Sequence, residues 1–175
     1  DLEARTAASL GFLGPRFYAT LYRALLAGGE AVGFVAAHAD GPAGFILGTV
    51  DTPRALRAAV RRTFLPLAAA ALLACLRRPR HLRPLVSALR YPRMARGAEL
   101  LVVSVAPAWQ GRGVARALVA ALDRALAARG VAAYRVSTKA RLEGALRLYR
   151  GLGFVPAGEF TLFDEPWVVF ERRLG

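Results

Sequence analysis

The stretch from Val103 to Ala115, Val-Ser-Val-Ala-Pro-Ala-Trp-Gln-Gly-Arg-Gly-Val-Ala, constrains this chain more than any other feature. Its first residues close an apolar run, Leu-Leu-Val-Val-Ser-Val, which has the length and β-branched content of a buried strand. A Gly-Arg-Gly loop follows directly. Val114, Leu118, Ala121, Leu122, Ala125 and Leu126 then recur at helical spacing, and Gly130 supplies the stop. A strand feeding a glycine loop and then a helix leaves the first helical N–H groups unpaired and aimed forward. The positive end of the helix dipole lies there too, which suits a pyrophosphate. Arg112 and Arg116 add charge at the same end. The glycines alone leave two readings open, a tight turn and an anion cradle. A dinucleotide fingerprint fits poorly, because Arg116 stands where its third Gly or Ala belongs, and the Gly-Lys-Ser/Thr of a Walker loop is absent.

The remaining pattern alternates strands and helices. Leu2 to Leu26 reads as helix, interrupted near Gly11, Gly14 and Pro15. Ala31–Ala37 and Ala43–Val50 read as strands joined through Asp40-Gly41, a hairpin turn signal. Pro53 to Tyr91 reads as a helical excursion in two parts, broken around Pro79 and Pro84. After the strand Glu99–Val105 and the helix Val114–Arg129 come a strand at Val131–Ser137 and a helix at Arg141–Leu152. A final hairpin pairs Phe160–Phe163 with Trp167–Glu171. The order predicts a single α/β (α+β) domain around a mixed sheet, spanning 1–175, with a basic helical insertion at about 53–96.

Two blocks carry a family resemblance. The segment Val103–Ala115 resembles the acetyl-CoA-binding segment of the GCN5-related N-acetyltransferases, whose Arg/Gln-x-x-Gly-x-Gly/Ala signature is met by Gln110, Gly113 and Ala115. Downstream, Ala145-Leu-Arg-Leu-Tyr-Arg-Gly-Leu-Gly-Phe154 is similar to that family's Ala-x-x-x-Tyr-x-x-x-Gly-Phe segment. The resemblance implies a transferase that moves an acetyl group from acetyl-CoA to a primary amine directly, in a ternary complex. It implies that Val103, Ser104 and Val105 pair their backbone with the pantetheine arm. Gln110, Gly111, Arg112, Gly113, Val114, Ala115 and Arg116 then hold the pyrophosphate, and Tyr149 protonates the departing thiolate. A phenol with a pKa near 10 holds its proton at neutral pH and can pass it to a thiolate. Glu99, at the start of the central strand, is the candidate base for the amine; Asp51, Asp164 and His38 are weaker alternatives in loops. Two departures stand out: Leu142 occupies a position where the family often has Asn, and the family's first strand is missing before Asp1, so the chain is incomplete or begins differently.

Composition narrows the partners. Between Asp51 and Glu99 lie eleven arginines and no acidic residue, whereas the rest of the chain holds fourteen basic and twelve acidic residues. A nearly neutral body thus carries one strongly cationic segment. Its Leu65–Leu76 stretch is almost wholly apolar and is flanked by Arg61-Arg62 and Arg77-Arg78. It reads either as a packed helix with solvated ends, or as a surface for an anionic membrane or a roof over a lipidic or sugar-nucleotide substrate. Phe64 and Tyr91 are its only aromatics, which argues against nucleic acid. One cysteine and two isolated histidines support no metal site, and the absence of a secretory pattern predicts a cytoplasmic enzyme. Two other functions fit the sequence: transfer of a longer acyl chain, and a non-catalytic CoA-fold protein whose basic segment binds membrane or RNA. The acceptor is expected to be a small-molecule or peptide amine.

Overall fold

The computed structural model describes residues 14–39, 41–77, 97–162 and 164–175. Twelve elements build it: helix α1 (Gly14–Leu26), strands β1 (Ala31–His38) and β2 (Gly41–Thr49), helices α2 (Thr52–Arg62) and α3 (Phe64–Arg77), strand β3 (Glu99–Val105), a 3-10 turn (Pro107–Trp109), helix α4 (Val114–Ala127), strand β4 (Ala133–Lys139), helix α5 (Glu143–Gly151), and strands β5 (Val155–Leu162) and β6 (Glu165–Arg173). The six strands form one sheet in the order β1-β2-β3-β4-β6-β5. All neighbours run antiparallel except β3 and β4, which are joined through α4.

Each face of the sheet is sealed by a different helix set. On one face α4 buries Leu118, Val119, Leu122 and Leu126 against Ile46, Leu100, Tyr134 and Val136, and Tyr149, Leu152, Phe154 and Phe170 complete this core. Each such Leu or Val contributes roughly 1.5–3 kcal/mol by leaving water. On the other face α1 and α2 bring Ala24, Leu25, Ala55 and Ala59 onto Ala31 and Leu47.

The segment expected as a basic helical insertion has a break at Thr63, and the expected breaks at Pro79 and Pro84 lie outside the described residues. Asp51 caps α2 by accepting from the Arg54 N–H at 2.9 Å. The helix ends at Thr63, whose hydroxyl turns back to the Ala59 carbonyl at 2.7 Å. Pro66 accounts for the stop, because a proline lacks the N–H that a continuous helix would give to the Arg62 carbonyl, whereas the first turn of α3 needs none there. Leu67 is buried, and Phe64, Leu65, Leu72, Leu73 and Leu76 remain exposed. The sequence readings for 2–13 and 78–96, including the second half of the basic insertion, lie outside the described residues. Among those described, no helix is long and apolar enough to cross a membrane.

The last hairpin is longer than its sequence signals. β5 begins at Val155 rather than Phe160, although Pro156 and Gly158 lie within it. It is an edge strand, where a missing N–H costs no ladder bond, and its register shifts between those two residues.

Candidate active site

Strands β3 and β4 are seven residues each, yet they are paired only at Glu99–Arg135 and Leu100–Val136. Beyond Leu100 they part, and a gap opens toward their C-terminal ends. The cause is a bulge in β3. The β2–β3 register jumps there, with Leu47 opposite Val102 and Gly48 opposite Leu100, which leaves Leu101 as an extra residue. Leu101 and Val102 consequently both pack toward α1 and α2, whereas Leu100 and Val103 pack toward α4.

That extra residue also resets which backbone groups face the gap. The Ala106 N–H donates to Ala43 on β2 at 2.9 Å, so by alternation Ser104 and Val102 also direct their N–H and C=O to β2. Val103 and Val105 face the gap instead. The Val105 carbonyl is occupied by the Gln110 side-chain amide at 3.2 Å. The Val103 N–H and C=O and the Val105 N–H therefore form a short strand edge that no strand among the described residues pairs with. Ser104, expected from the sequence to offer its backbone there, turns the other way because of the bulge.

At the open end lies the glycine loop. Gly111 (φ +73°) and Gly113 (φ +80°) adopt the left-handed backbone, and a Cβ on either would meet nothing within 4 Å. Backbone conformation, not crowding, demands glycine here. Gly113 is the N-cap of α4 and supplies no side-chain cap for the first helical N–H groups, those of Val114, Ala115 and Arg116. The Arg112 guanidinium lies 5.1 Å from the Trp109 ring centre, and Trp109 in turn packs on His38 at 4.3 Å. Arg116 reaches the Gly151 carbonyl at the end of α5 at 3.4 Å. A cradle of free N–H donors next to a free strand edge fits a ligand with a pyrophosphate and an amide-bearing arm, which is the chemistry of coenzyme A.

Tyr149 belongs to the same core as Val103, Val105 and Val114. It is buried, and its ring packs on Phe154 at 5.6 Å and Phe170 at 5.9 Å. No hydrogen bond to its hydroxyl occurs among the described residues, and burial pushes the phenol up to about 12. The helix end that carries it has a specific construction. The Phe154 N–H bonds the Tyr149 carbonyl at 3.0 Å, the Gly153 N–H bonds the Arg150 carbonyl at 3.0 Å, and Gly153 is left-handed at φ +85°. This is a Schellman motif, and the Tyr149–Phe154 ring contact is its apolar clasp. The Tyr-x-x-x-Gly-Phe spacing is thus a helix-termination device that fixes one tyrosine.

Glu99 lies on the other face. It pairs with Thr49, whose side chain follows Leu47 on the α1–α2 side, and it is buried. Thr49 and Thr52, both fully buried, share a 2.5 Å hydrogen bond beside it. Glu99 and Tyr149 are therefore on opposite faces of the sheet, with Glu99 at the closed end of the gap. The loop alternatives have other tasks: Asp51 caps α2, and Asp164 makes a turn at φ +59°.

Residues 85–156 match the model of the acetyltransferase (GNAT) domain. A solved structure named SsHAT is 31% identical, with 93% of this chain and 82% of that one aligned at a TM-score of 0.64. The chain belongs to the GNAT acetyltransferase family. It is an acyltransferase, and that family draws on acetyl-CoA. More distant GNAT structures share the fold. One is the ribosomal-protein-S18-alanine N-acetyltransferase from Escherichia coli, at 18% identity over 92% of this chain and 77% of that one, with a TM-score of 0.55. Another is the PaiA N-acetyltransferase from Thermoplasma acidophilum in complex with coenzyme A, at 11% identity over 82% and 61%, with a TM-score of 0.52. No curated protein matches the sequence.

Several features of this GNAT domain were not read from its sequence. Asp123, Tyr134 and Arg172 form a hydrogen-bonded network, and sequence separation of up to 49 residues hides it. Lys139 is buried and ion-paired to Glu165, which also holds Arg141 at 3.0 Å. Its signal was present, since it is the only lysine in an arginine-rich chain. Leu142 is the N-cap of α5 and makes no side-chain cap. The residue type that the family often places there would supply one.

Proposed function

We propose that this protein is an N-acetyltransferase that moves the acetyl group of acetyl-CoA to a primary amine in one step, with both substrates bound. The observation that carries the reading is the gap between β3 and β4, which joins the two faces of the sheet and ends at an uncapped helix N-terminus. Donor and acceptor can meet through it without a covalent enzyme intermediate. When bound, acetyl-CoA supplies a thioester carbonyl that an amine can attack.

In this mechanism the N–H groups of Val114, Ala115 and Arg116 and the backbone of Gly111–Gly113 hold the pyrophosphate, with Arg112 and Arg116 adding charge. The Val103 backbone pairs with the pantetheine amides, and an N–H of Val103 or Val105 polarises the carbonyl. Glu99, directly or through water, takes the proton that the amine nitrogen loses as its bond to carbon forms. The Tyr149 hydroxyl gives its proton to sulfur as the carbon–sulfur bond breaks. The products are an N-acetylated amine and free CoA thiol, and solvent exchange resets both residues. Because the phenol is raised, it stays protonated across the ordinary assay range.

Calorimetry of acetyl-CoA binding to wild type and Gly113→Glu tests the reading, paired with free-thiol release over a panel of primary amines. Micromolar binding that the variant loses, with amine-dependent thiol release, is the expected result. Wild-type protein that binds no acetyl-CoA would overturn it.

A further inference from the structure

The helix that carries Tyr149 is anchored from outside by one residue of the last strand. Arg172, on β6, directs its guanidinium to the end of α5, where one Nη donates to the Leu152 carbonyl. Leu152 is the helix C-cap, so this carbonyl is one that the helix itself leaves without an N–H. The other arms of the fork bind Asp123 of α4: Nε lies 3.1 and 3.0 Å from the two carboxylate oxygens, and Nη2 lies 2.8 Å from Oδ2. Tyr134 of β4 donates its hydroxyl to the same carboxylate at 2.7 Å. The guanidinium also covers the Phe154 ring at 5.6 Å, and Phe154 stands edge-on to Tyr134 at 5.4 Å. One side chain thereby ties α4, β4 and β6 to the end of α5 and to the ring that clasps Tyr149.

We propose that Arg172 is a positioning residue for acetyl transfer, acting through Leu152 and Phe154 to fix where the Tyr149 hydroxyl sits. This rests on the role of Tyr149 given above. The planar fork matters more than the charge, because only a guanidinium can bind both oxygens of Asp123 while reaching a carbonyl on a third element. Lysine keeps the charge and loses that geometry. Misplacing a reacting group by about 1 Å can lower a rate by about a hundredfold.

A double-mutant cycle of Arg172→Lys and Tyr149→Phe tests this, read as free-thiol release from acetyl-CoA, with or without a simple primary amine. Arg172→Lys is expected to lower kcat about tenfold or more, with KM for acetyl-CoA within about twofold. In the Tyr149→Phe background it should lower kcat no further, although its effect on the melting temperature should persist. Asp123→Asn, which removes the carboxylate while keeping the volume, is the second variant and should follow the same pattern. A substrate-free arm follows the Tyr149 phenol by ¹³Cζ tyrosine NMR up to pH 11: silent in wild type, and titrating in Arg172→Lys as the ring gains access to water. Equal fractional losses of kcat in both backgrounds would reduce Arg172 to a purely structural role and overturn the proposal. If Tyr149→Phe alone leaves kcat unchanged, the assignment of Tyr149 is what fails.

Discussion

Two buried tyrosines in one core should respond oppositely to loss of a single oxygen. Tyr149 holds a buried hydroxyl with no hydrogen-bond partner among the described residues, and burial alone raises it to about 12. Burying an unpaired hydroxyl costs about 1–3 kcal/mol. Tyr149→Phe removes that penalty and keeps the ring contacts with Phe154 and Phe170. The ligand-free variant should therefore be as stable as wild type or up to about 2 kcal/mol more stable. At 2–4 °C per kcal/mol for a chain of this size, its melting point rises by roughly 0–8 °C. Tyr134→Phe removes a hydroxyl that donates to Asp123 at 2.7 Å. A hydrogen bond to a charged group contributes about 1.5–3 kcal/mol, so its melting point should fall by roughly 3–12 °C. Activity should move the other way at Tyr149, with kcat lowered by about 10²–10⁴ as a general acid is lost. The pH dependence has a fixed sign. The stability tied to Tyr149 is fully present below pH 10, where the unfolded phenol keeps its proton, and is lost as pH rises through about 12. That alkaline component should vanish in Tyr149→Phe. Thermal melts of ligand-free protein and a free-thiol assay read all of this. A Tyr149→Phe protein that melts several degrees lower would mean the hydroxyl is satisfied within the fold, and the reasoning would be wrong.

The same fold has three further testable consequences. Gly153→Ala should lower the melting point by roughly 2–8 °C, since a left-handed alanine costs about 1–2 kcal/mol and its Cβ would press within 3.0 Å of Arg172; a change below 1 °C in a thermal melt would contradict the motif. Leu142→Asn should stabilise by about 0.5–2 kcal/mol by giving α5 a side-chain cap, and chemical denaturation measures it; no gain would mean the α5 N–H groups are already satisfied. Glu99→Gln should lower kcat by about 10²–10⁴ with acetyl-CoA affinity by calorimetry unchanged; an undiminished kcat would assign the base elsewhere.

What the sequence disclosed, and what it did not, follows the range of the interactions involved. The glycine loop and the Tyr149–Gly153–Phe154 segment are local devices. Left-handed backbone at Gly113 and Gly153 depends on a few neighbouring residues, so spacing alone marks them. Strand β3 was readable because an apolar β-branched run is local too. Its bulge was not, because an extra residue exists only relative to a partner strand, and Leu101 looks like its neighbours in Leu-Leu-Val-Val. That bulge decides which carbonyls and N–H groups face the gap, so the sequence pointed to the segment without showing which way Ser104 faces. The Asp123–Tyr134–Arg172 network was hidden for the same reason, since it joins three elements that only the fold brings together.

The placement of Glu99 has a consequence for acceptor choice. Glu99 and the Thr49–Thr52 pair face the α1–α2 side, whereas the glycine loop and Tyr149 belong to the α4–α5 side. An acceptor amine that uses Glu99 must come from the first side, where α2 leads into the arginine-rich insertion. α2 carries Arg54, Arg57, Arg61 and Arg62, and Glu30 is bound to Arg54 at 2.9 Å. On that reading the donor lies along the glycine loop and α4, and the acceptor approaches along α1 and α2. Selectivity should therefore respond to substitutions in α1 and α2 that leave the affinity for acetyl-CoA untouched.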